Sequence, residues 1–313
     1  MRDTEEMAGM LAENLGAPSL PVLVASTGII GRRLPMDKVR AGVQAAFEAL
    51  GKADLHDAAT AIMTTDTFPK AAAAKCSIAG KNVVIGGIAK GAGMIAPNMG
   101  TMIGFVFTDA AMSPETLRSA LNAVVPTTFN SVTIDGDTST NDTLAALASG
   151  KAGNKPVGCD SEEKKQFVKA LHAVCLSLAK QIARDGEGAT KLVEIRVTGA
   201  ASGDDARRIA RTIAESPLVK TALHGEDPNW GRIMAAAGRS GATFDTGEAL
   251  LSIGGVSVFE NGAPTGSEER AHEKMTGREI IIELSVGKGP GAATFYTCDL
   301  SKEYVTINAD YHT

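Results

Sequence analysis

Met7, Met10 and Leu11 repeat at helical spacing behind Thr4, so residues 4–15 are expected to form a helix. Glu5 and Glu6 suit its positive end, and Gly16 stops it. Residues 22–25 are a short apolar run that reads as a buried strand. Val39, Val43, Ala46, Phe47 and Leu50 mark a second helix over 36–50, and 54–63 reads as a third. Strand-like runs at 74–79 and 82–89 around Gly80-Lys81-Asn82 predict a hairpin. Residues 102–107 predict a buried strand, Ser113-Pro114 a helix start, and 131–134 another short strand. Leu144, Ala145, Leu147 and Ala148 form a helical patch. Ser161 then opens a long helix with an apolar stripe of Phe167, Leu171, Val174, Cys175, Leu178 and Ile182, which Gly186-Glu187-Gly188 breaks. A strand over 191–198 and a basic helix over 203–215, stopped by Pro217, come next. The remainder reads as strands at 250–253, 256–259, 279–286, 293–299 and 303–308, with one helix near 267–275. The result is a mixed α/β (α+β) chain without the strict βαβ rhythm of a doubly wound sheet.

Composition narrows the class. The 313 residues are enough for one large or two ordinary domains. Aromatics are only 4%, so the core must be built from Ala, Val, Ile, Leu and Met. A net charge of −5 argues against a general nucleic-acid or membrane-surface role. Cys76, Cys159, Cys175 and Cys298 are dispersed, and the five histidines form no metal-binding spacing. No metal is expected. The N-terminus has no apolar signal region, and no run approaches the roughly 20 residues needed to span a bilayer. Cytoplasm is the expected location.

Five stretches carry candidate chemistry, each with a plainer alternative. Lys90-Gly-Ala-Gly-Met-Ile-Ala-Pro-Asn-Met-Gly-Thr101 passes from a Gly-rich turn into the 102–107 strand. A hydroxyl residue directly after Gly, at the edge of a buried strand, is where a chain can cut itself. The freed α-amine, with a pKa of about 7.7–8.0, would then serve as the nucleophile's own base. Thr101 is otherwise an ordinary strand start. Ser26-Thr-Gly-Ile-Ile-Gly31 can aim backbone N–H groups at a ligand, or be a plain turn. Thr64-Thr-Asp-Thr-Phe-Pro-Lys70 and the wholly polar Asp135-Gly-Asp-Thr-Ser-Thr-Asn-Asp142 are dense enough for site walls, or are ordered surface loops. His224-Gly-Glu-Asp-Pro-Asn-Trp-Gly-Arg232 concentrates charge around the only Trp, and its acidic and amide groups also suit helix capping.

Taken together, these segments resemble the ornithine acetyltransferase family, the bifunctional glutamate N-acetyltransferases of arginine biosynthesis. The matching stretches are Val24-Ala-Ser-Thr-Gly-Ile-Ile-Gly31, Met63-Thr-Thr-Asp-Thr-Phe-Pro-Lys70, Lys90 to Met99, Asp135 to Asp142, His224 to Arg232 and Ile307-Asn-Ala-Asp-Tyr-His-Thr313, in family order along the whole chain. The resemblance implies a self-cleaving α/β sandwich of the N-terminal-nucleophile type with a smaller C-terminal α+β domain. Cleavage between Gly100 and Thr101 would leave an α part, 1–100, and a β chain whose front, 101–190, carries the nucleophile and whose rear, 191–313, is the C-terminal domain. Thr101 would be the nucleophile, with Thr27 and Gly28 as the oxyanion hole. Thr64, Lys90, Thr101, Glu226, Asn308 and Thr313 would bind substrate. Lys90 suits a carboxylate and Glu226 an amine. The 135–142 loop would be structural or serve processing.

The implied substrates are N2-acetylornithine and glutamate. No cofactor is implied, although some members take acetyl-CoA as acetyl donor. The two chains of self would assemble as α2β2. Two departures stand out. Gly100 replaces the family's usual Ala before the nucleophile. Members also usually carry a further N-terminal portion, so the resemblance implies a chain shortened at its front, with exposed sheet edge and apolar surface. The rivals are a related self-cleaving aminopeptidase or amidase, and an unprocessed, inactive structural protein.

Overall fold

A computed structural model describes residues 1–96 and 102–310. Two helices open the chain, α1 (Arg2–Asn14) and α2 (Met36–Glu48). They are tied by polar contacts, Arg33 to Asp3 at 2.7 Å and Arg40 to Glu6 at 2.6 Å. No residue of α2 is buried. The segment between the two helices is irregular, and Leu23 is exposed, which corrects the expected buried strand at 22–25. Among the described residues no neighbouring strand is available there to satisfy its backbone, so an apolar run alone does not make one.

Asp54 caps α3 (Leu55–Ala61) reciprocally with Asp57. The expected hairpin follows as β1 (Lys70–Ile78) and β2 (Lys81–Lys90), turning at Ala79 and Gly80, both of positive φ. Next come β3 (Ile103–Thr108), α4 (Pro114–Val124) and β4 (Thr143–Ala148). These strands form one sheet in the order β1-β2-β3-β4, antiparallel except for the parallel β3/β4 pair. Leu144 to Ala148 are therefore strand, not the expected helical patch. The ladder to β3 outweighs the helix propensity of Leu and Ala. The stretch 131–134 is a 3-10 turn and a single bridge, Val132 to Tyr296, rather than a strand.

Ser161 caps α5 (Glu162–Arg184), whose apolar stripe lies across β1 and β2. Phe167, Leu171, Leu178 and Ile182 are buried there, each worth about 1.5–3 kcal/mol of burial. Beyond it, β5 (Leu192–Ala200) starts a second sheet. Three helices follow, α6 (Gly203–Ala214), α7 (Pro217–His224) and α8 (Trp230–Gly238). Pro217 thus begins a helix as well as stopping one. After them come β6 (Leu250–Ile253), β7 (Val256–Glu260), the two-residue β8 (Ala263–Pro264), α9 (Glu268–Met275), β9 (Glu279–Ser285) and β10 (Gly291–Cys298). The sheet order is β10-β5-β9-β6-β7-β8, with α6 on β5 and β10 and α9 on β6, β7 and β9. Each sheet has its own apolar core.

The chain ends in α10 (Lys302–Asp310), where a strand over 303–308 was expected. Ser301 explains the difference. Its hydroxyl donates to the Gly188 carbonyl at 2.6 Å and accepts the Glu303 N–H at 3.1 Å, which starts a helix rather than extending a ladder. Gly188 has φ +68, and a Cβ there would lie 2.6 Å from the Tyr304 nitrogen. Only glycine lets α10 seat so closely.

Candidate active site

Thr27, Gly28, Thr64, Lys90 and Asn308 line one cleft of about 360 Å³. They come from four separate places: the 26–31 turn, the segment before β1, the end of β2, and α10. Glu226 is not among the lining residues. It follows α7 with φ +56, and Lys191 Nζ donates to its carboxylate at 2.8 Å. That partner holds the Glu226 carboxyl below its usual range. Asn229 in the same motif caps α8 by accepting the Arg232 N–H at 3.1 Å, and Trp230 stacks on Phe259. Gly100, Thr101 and Thr313 lie outside the described residues.

The wall at 64–70 is organised from beneath by a buried ionic network. Lys70 Nζ, fully buried, donates to Asp66 and Asp185, each at 2.5 Å. Asp66 also accepts the Gly91 N–H at 2.6 Å and the Thr64 N–H at 3.0 Å. Burial pushes the Asp66 carboxyl up, but the Gly91 N–H and the Lys70 ammonium outweigh it and hold it below its ordinary value. Asp66 thereby joins the Thr64 backbone to the end of β2.

Lys90 is the opposite case. It is 4% exposed, yet among the described residues no carboxylate comes within ion-pair distance of its ammonium. Burial lowers its pKa, against the more distant pull of Asp66 and Asp142. A buried, unpaired cation beside a cleft is costly unless something anionic completes it.

The polar 135–142 run clasps the backbone on both sides of residues 97–101. Asp135 accepts the Met94 N–H at 2.5 Å and the Ile95 N–H at 2.9 Å. Thr138 donates to the Ala96 carbonyl at 3.0 Å, and Asn141 donates to the Ser26 carbonyl. Immediately after the run, the Thr143 N–H reaches the Met102 carbonyl at 2.9 Å. Burial raises the Asp135 carboxyl above its ordinary value.

Sequence reasoning missed Glu187 and Tyr304, which also line the cleft, as do Met94 and Asp137 from the singled-out 90–101 and 135–142 stretches. Glu187 Oε2 accepts from Asn308 Nδ2 at 2.8 Å and sits over Gly93, where a Cβ would lie 2.5 Å from that oxygen. The glycine at 93 is the one signal that could have pointed to it. Among the described residues no cluster of three His, Cys, Asp or Glu could hold a metal ion.

The sheets, their covering helices and this cleft define an α/β sandwich of the N-terminal-nucleophile kind. Its site is built from threonine hydroxyls, a glycine turn, a lysine and carboxylates. The sequence model of the ArgJ family matches residues 1–313, and the chain belongs to that family. The arginine biosynthesis bifunctional protein ArgJ of Symbiobacterium thermophilum is 51% identical over all of this chain and 78% of its own length. That of Dehalococcoides mccartyi is also 51% identical, over all of this chain and 77% of its own. The crystal structure of the Bacillus halodurans bifunctional protein superposes with a TM-score of 0.64 at 44% identity, covering 66% of this chain and 98% of that one.

Proposed function

We propose that this chain is the glutamate N-acetyltransferase of arginine biosynthesis, working by acetyl transfer from N2-acetylornithine to glutamate after cutting itself between Gly100 and Thr101. The observation that carries the reading is Lys90, a buried lysine with no ion-pair partner among the described residues, in a cleft shared with Thr27, Gly28, Thr64 and Asn308. Both substrates bear an α-carboxylate, the group such a cation needs. Lys90 also pairs in register with Ile103, two residues after Thr101.

In this reading Thr101 Oγ attacks the acetyl carbonyl while its α-amine takes the proton. Hydrogen-bond donors at Thr27 and Gly28 stabilise the oxyanion, one such donor being typically worth about 2.7–4 kcal/mol of barrier. The C–N bond breaks, the proton passes to ornithine, and an acetyl ester stays on Thr101. The amine of glutamate then attacks the ester, the C–Oγ bond breaks, and N-acetylglutamate leaves. No cofactor is required, and acetyl-CoA is an alternative donor to the same ester. With Glu226 bound to Lys191 and Asp135 occupied by the Met94 and Ile95 N–H groups, Glu187 and Asp137 are the remaining carboxylates at the cleft for the substrate's amine end. Thr313 would add its hydroxyl.

The cut chains would stay together as α2β2. No helix among the described residues is long and apolar enough to cross a membrane, and we place the protein in the cytoplasm.

A denaturing gel with N-terminal sequencing tests the reading. Two bands, the larger beginning at Thr101, with formation of N-acetylglutamate, are expected. Thr101→Ala should stay uncut and inactive. Free acetate in place of N-acetylglutamate would turn the assignment to the amidase class. A single uncut band without transfer would overturn it.

A further inference from the structure

The cleft is uneven in charge. Lys90 stands where β2 ends, and three carboxylates gather a few residues further along the same backbone. Asp135 accepts the Met94 and Ile95 N–H groups. Glu187 lies over Gly93, with its own N–H on the Ala92 carbonyl at 2.8 Å. Asp137 lines the cleft beside them. Into this acidic end α10 sends two side chains, Tyr304 and Asn308. Gly188 lets them in, since it allows the Tyr304 backbone to approach closely. The half-buried Tyr304 phenol senses all three carboxylates. Burial raises its pKa most, and the negative charges of Asp135, Glu187 and Asp137 raise it further. The phenol therefore keeps its proton, which it shares with Asp135 in a hydrogen bond.

Acetylornithine and glutamate both carry an α-carboxylate for Lys90, but their side chains end in opposite charges. A δ-ammonium suits the acidic end, whereas a γ-carboxylate is repelled there unless a hydrogen-bond donor meets it. Asn308 has both amide hydrogens engaged, on Glu187 Oε2 at 2.8 Å and on the Tyr304 carbonyl at 3.0 Å. Tyr304 is freer. Asp135 also holds three backbone N–H groups, those of Met94, Ile95 and Asp137, so it stays satisfied when the phenol turns away. A phenolic hydroxyl both donates and accepts.

We propose that Tyr304 is a specificity-determining residue that lets one cleft take two side chains of opposite charge. Its hydroxyl accepts from the ornithine δ-ammonium while donating to Asp135, and rotates to donate to the γ-carboxylate of glutamate. The proton stays on the phenol oxygen throughout, and only the direction of the hydrogen bond changes. Glu187 and Asp137 hold the ammonium in the first arrangement. In the second, the rotated hydroxyl offsets their repulsion. This rests on the acetyl-transfer reading.

A competition assay tests it. Enzyme is acetylated by acetylornithine and offered glutamate and isotopically labelled ornithine together, and the ratio of N-acetylglutamate to labelled acetylornithine is measured. The ratio comes from one sample, so it does not depend on how much of a variant is folded. Tyr304→Phe should lower it roughly tenfold or more, because glutamate loses its donor while ornithine keeps two carboxylates. Glu187→Gln should raise it, because a charge that holds ornithine and repels glutamate is removed. A structural role for Tyr304 would slow both acceptors alike. An unmoved ratio in Tyr304→Phe would overturn the assignment of Tyr304, and a ratio that fails to rise in Glu187→Gln would overturn the placing of the side chains at the acidic end. A wild type that forms neither product would instead overturn the transferase reading beneath, and this inference with it.

Discussion

Asn308 donates to Glu187 at 2.8 Å across the mouth of the cleft, joining the C-terminal helix to the turn after the long α5 helix. Two positions far apart in the chain thus share one side of the site. Exchanging Glu187 for Gln keeps an oxygen for Asn308 and removes only the charge. Bonds to charged groups are worth about 1.5–3 kcal/mol, so Glu187→Gln should raise KM for acetylornithine roughly tenfold or more while the melting temperature holds. Steady-state kinetics at fixed glutamate measures this. An unchanged KM would remove Glu187 from substrate binding.

Lys90 should matter in a charge-dependent way. Lys90→Met is expected to lower kcat/KM by about ten- to a hundredfold, the cost of one charged hydrogen bond. Burial lowers its pKa from the ordinary 10.5, so its charge is lost as pH rises through a value below that. Binding of the substrate carboxylate should therefore weaken on the alkaline side earlier than a surface lysine would dictate. The pH profile of KM for glutamate, compared with that of Lys90→Arg, reports it.

Gly188 carries both a strained backbone and a close approach. With φ +68 and a Cβ that would meet the Tyr304 nitrogen at 2.6 Å, Gly188→Ala should cost about 2–3 kcal/mol. The damage is directed at α10, so activity should fall together with the melting temperature. A thermal scan and an assay on the same sample decide it, and a variant of normal stability and activity would contradict the packing described.

Asp66 predicts the acid behaviour. Its folded value lies below the ordinary 3.8, so the stability it contributes is complete above that value and is lost as pH falls through the lowered one. Asp66→Asn should flatten that acid limb and destabilise the protein at neutral pH by about 3–5 kcal/mol, since Lys70 stays buried with half its partners gone. Denaturant titrations at several pH values give both quantities.

Much of the site was readable along the chain because its chemistry is written in contiguous stretches. The Ser26-Thr-Gly28 turn, the Thr64 wall and Lys90 each stand out locally, Asn308 entered only through the family resemblance, and the fold brings these to one cleft. Glu226 was equally conspicuous, yet it lies on Lys191 outside the lining, since a carboxylate's partner is set by what packs against it and not by its motif. Glu187 went unread for the converse reason. It was a residue between two helix-breaking glycines, and nothing local says that Asn308 will reach it.

The residues alone were sufficient for the amphipathic helices, the 70–90 hairpin, the glycine turns and the chemical types of the site. Those depend on periodicity, backbone freedom and side-chain chemistry, all of which are local. Long-range pairing settled the rest. Residues 143–148 became a strand because β3 offered a ladder, 302–310 a helix because Ser301 met Gly188, and 22–25 neither because no strand among the described residues lay beside it.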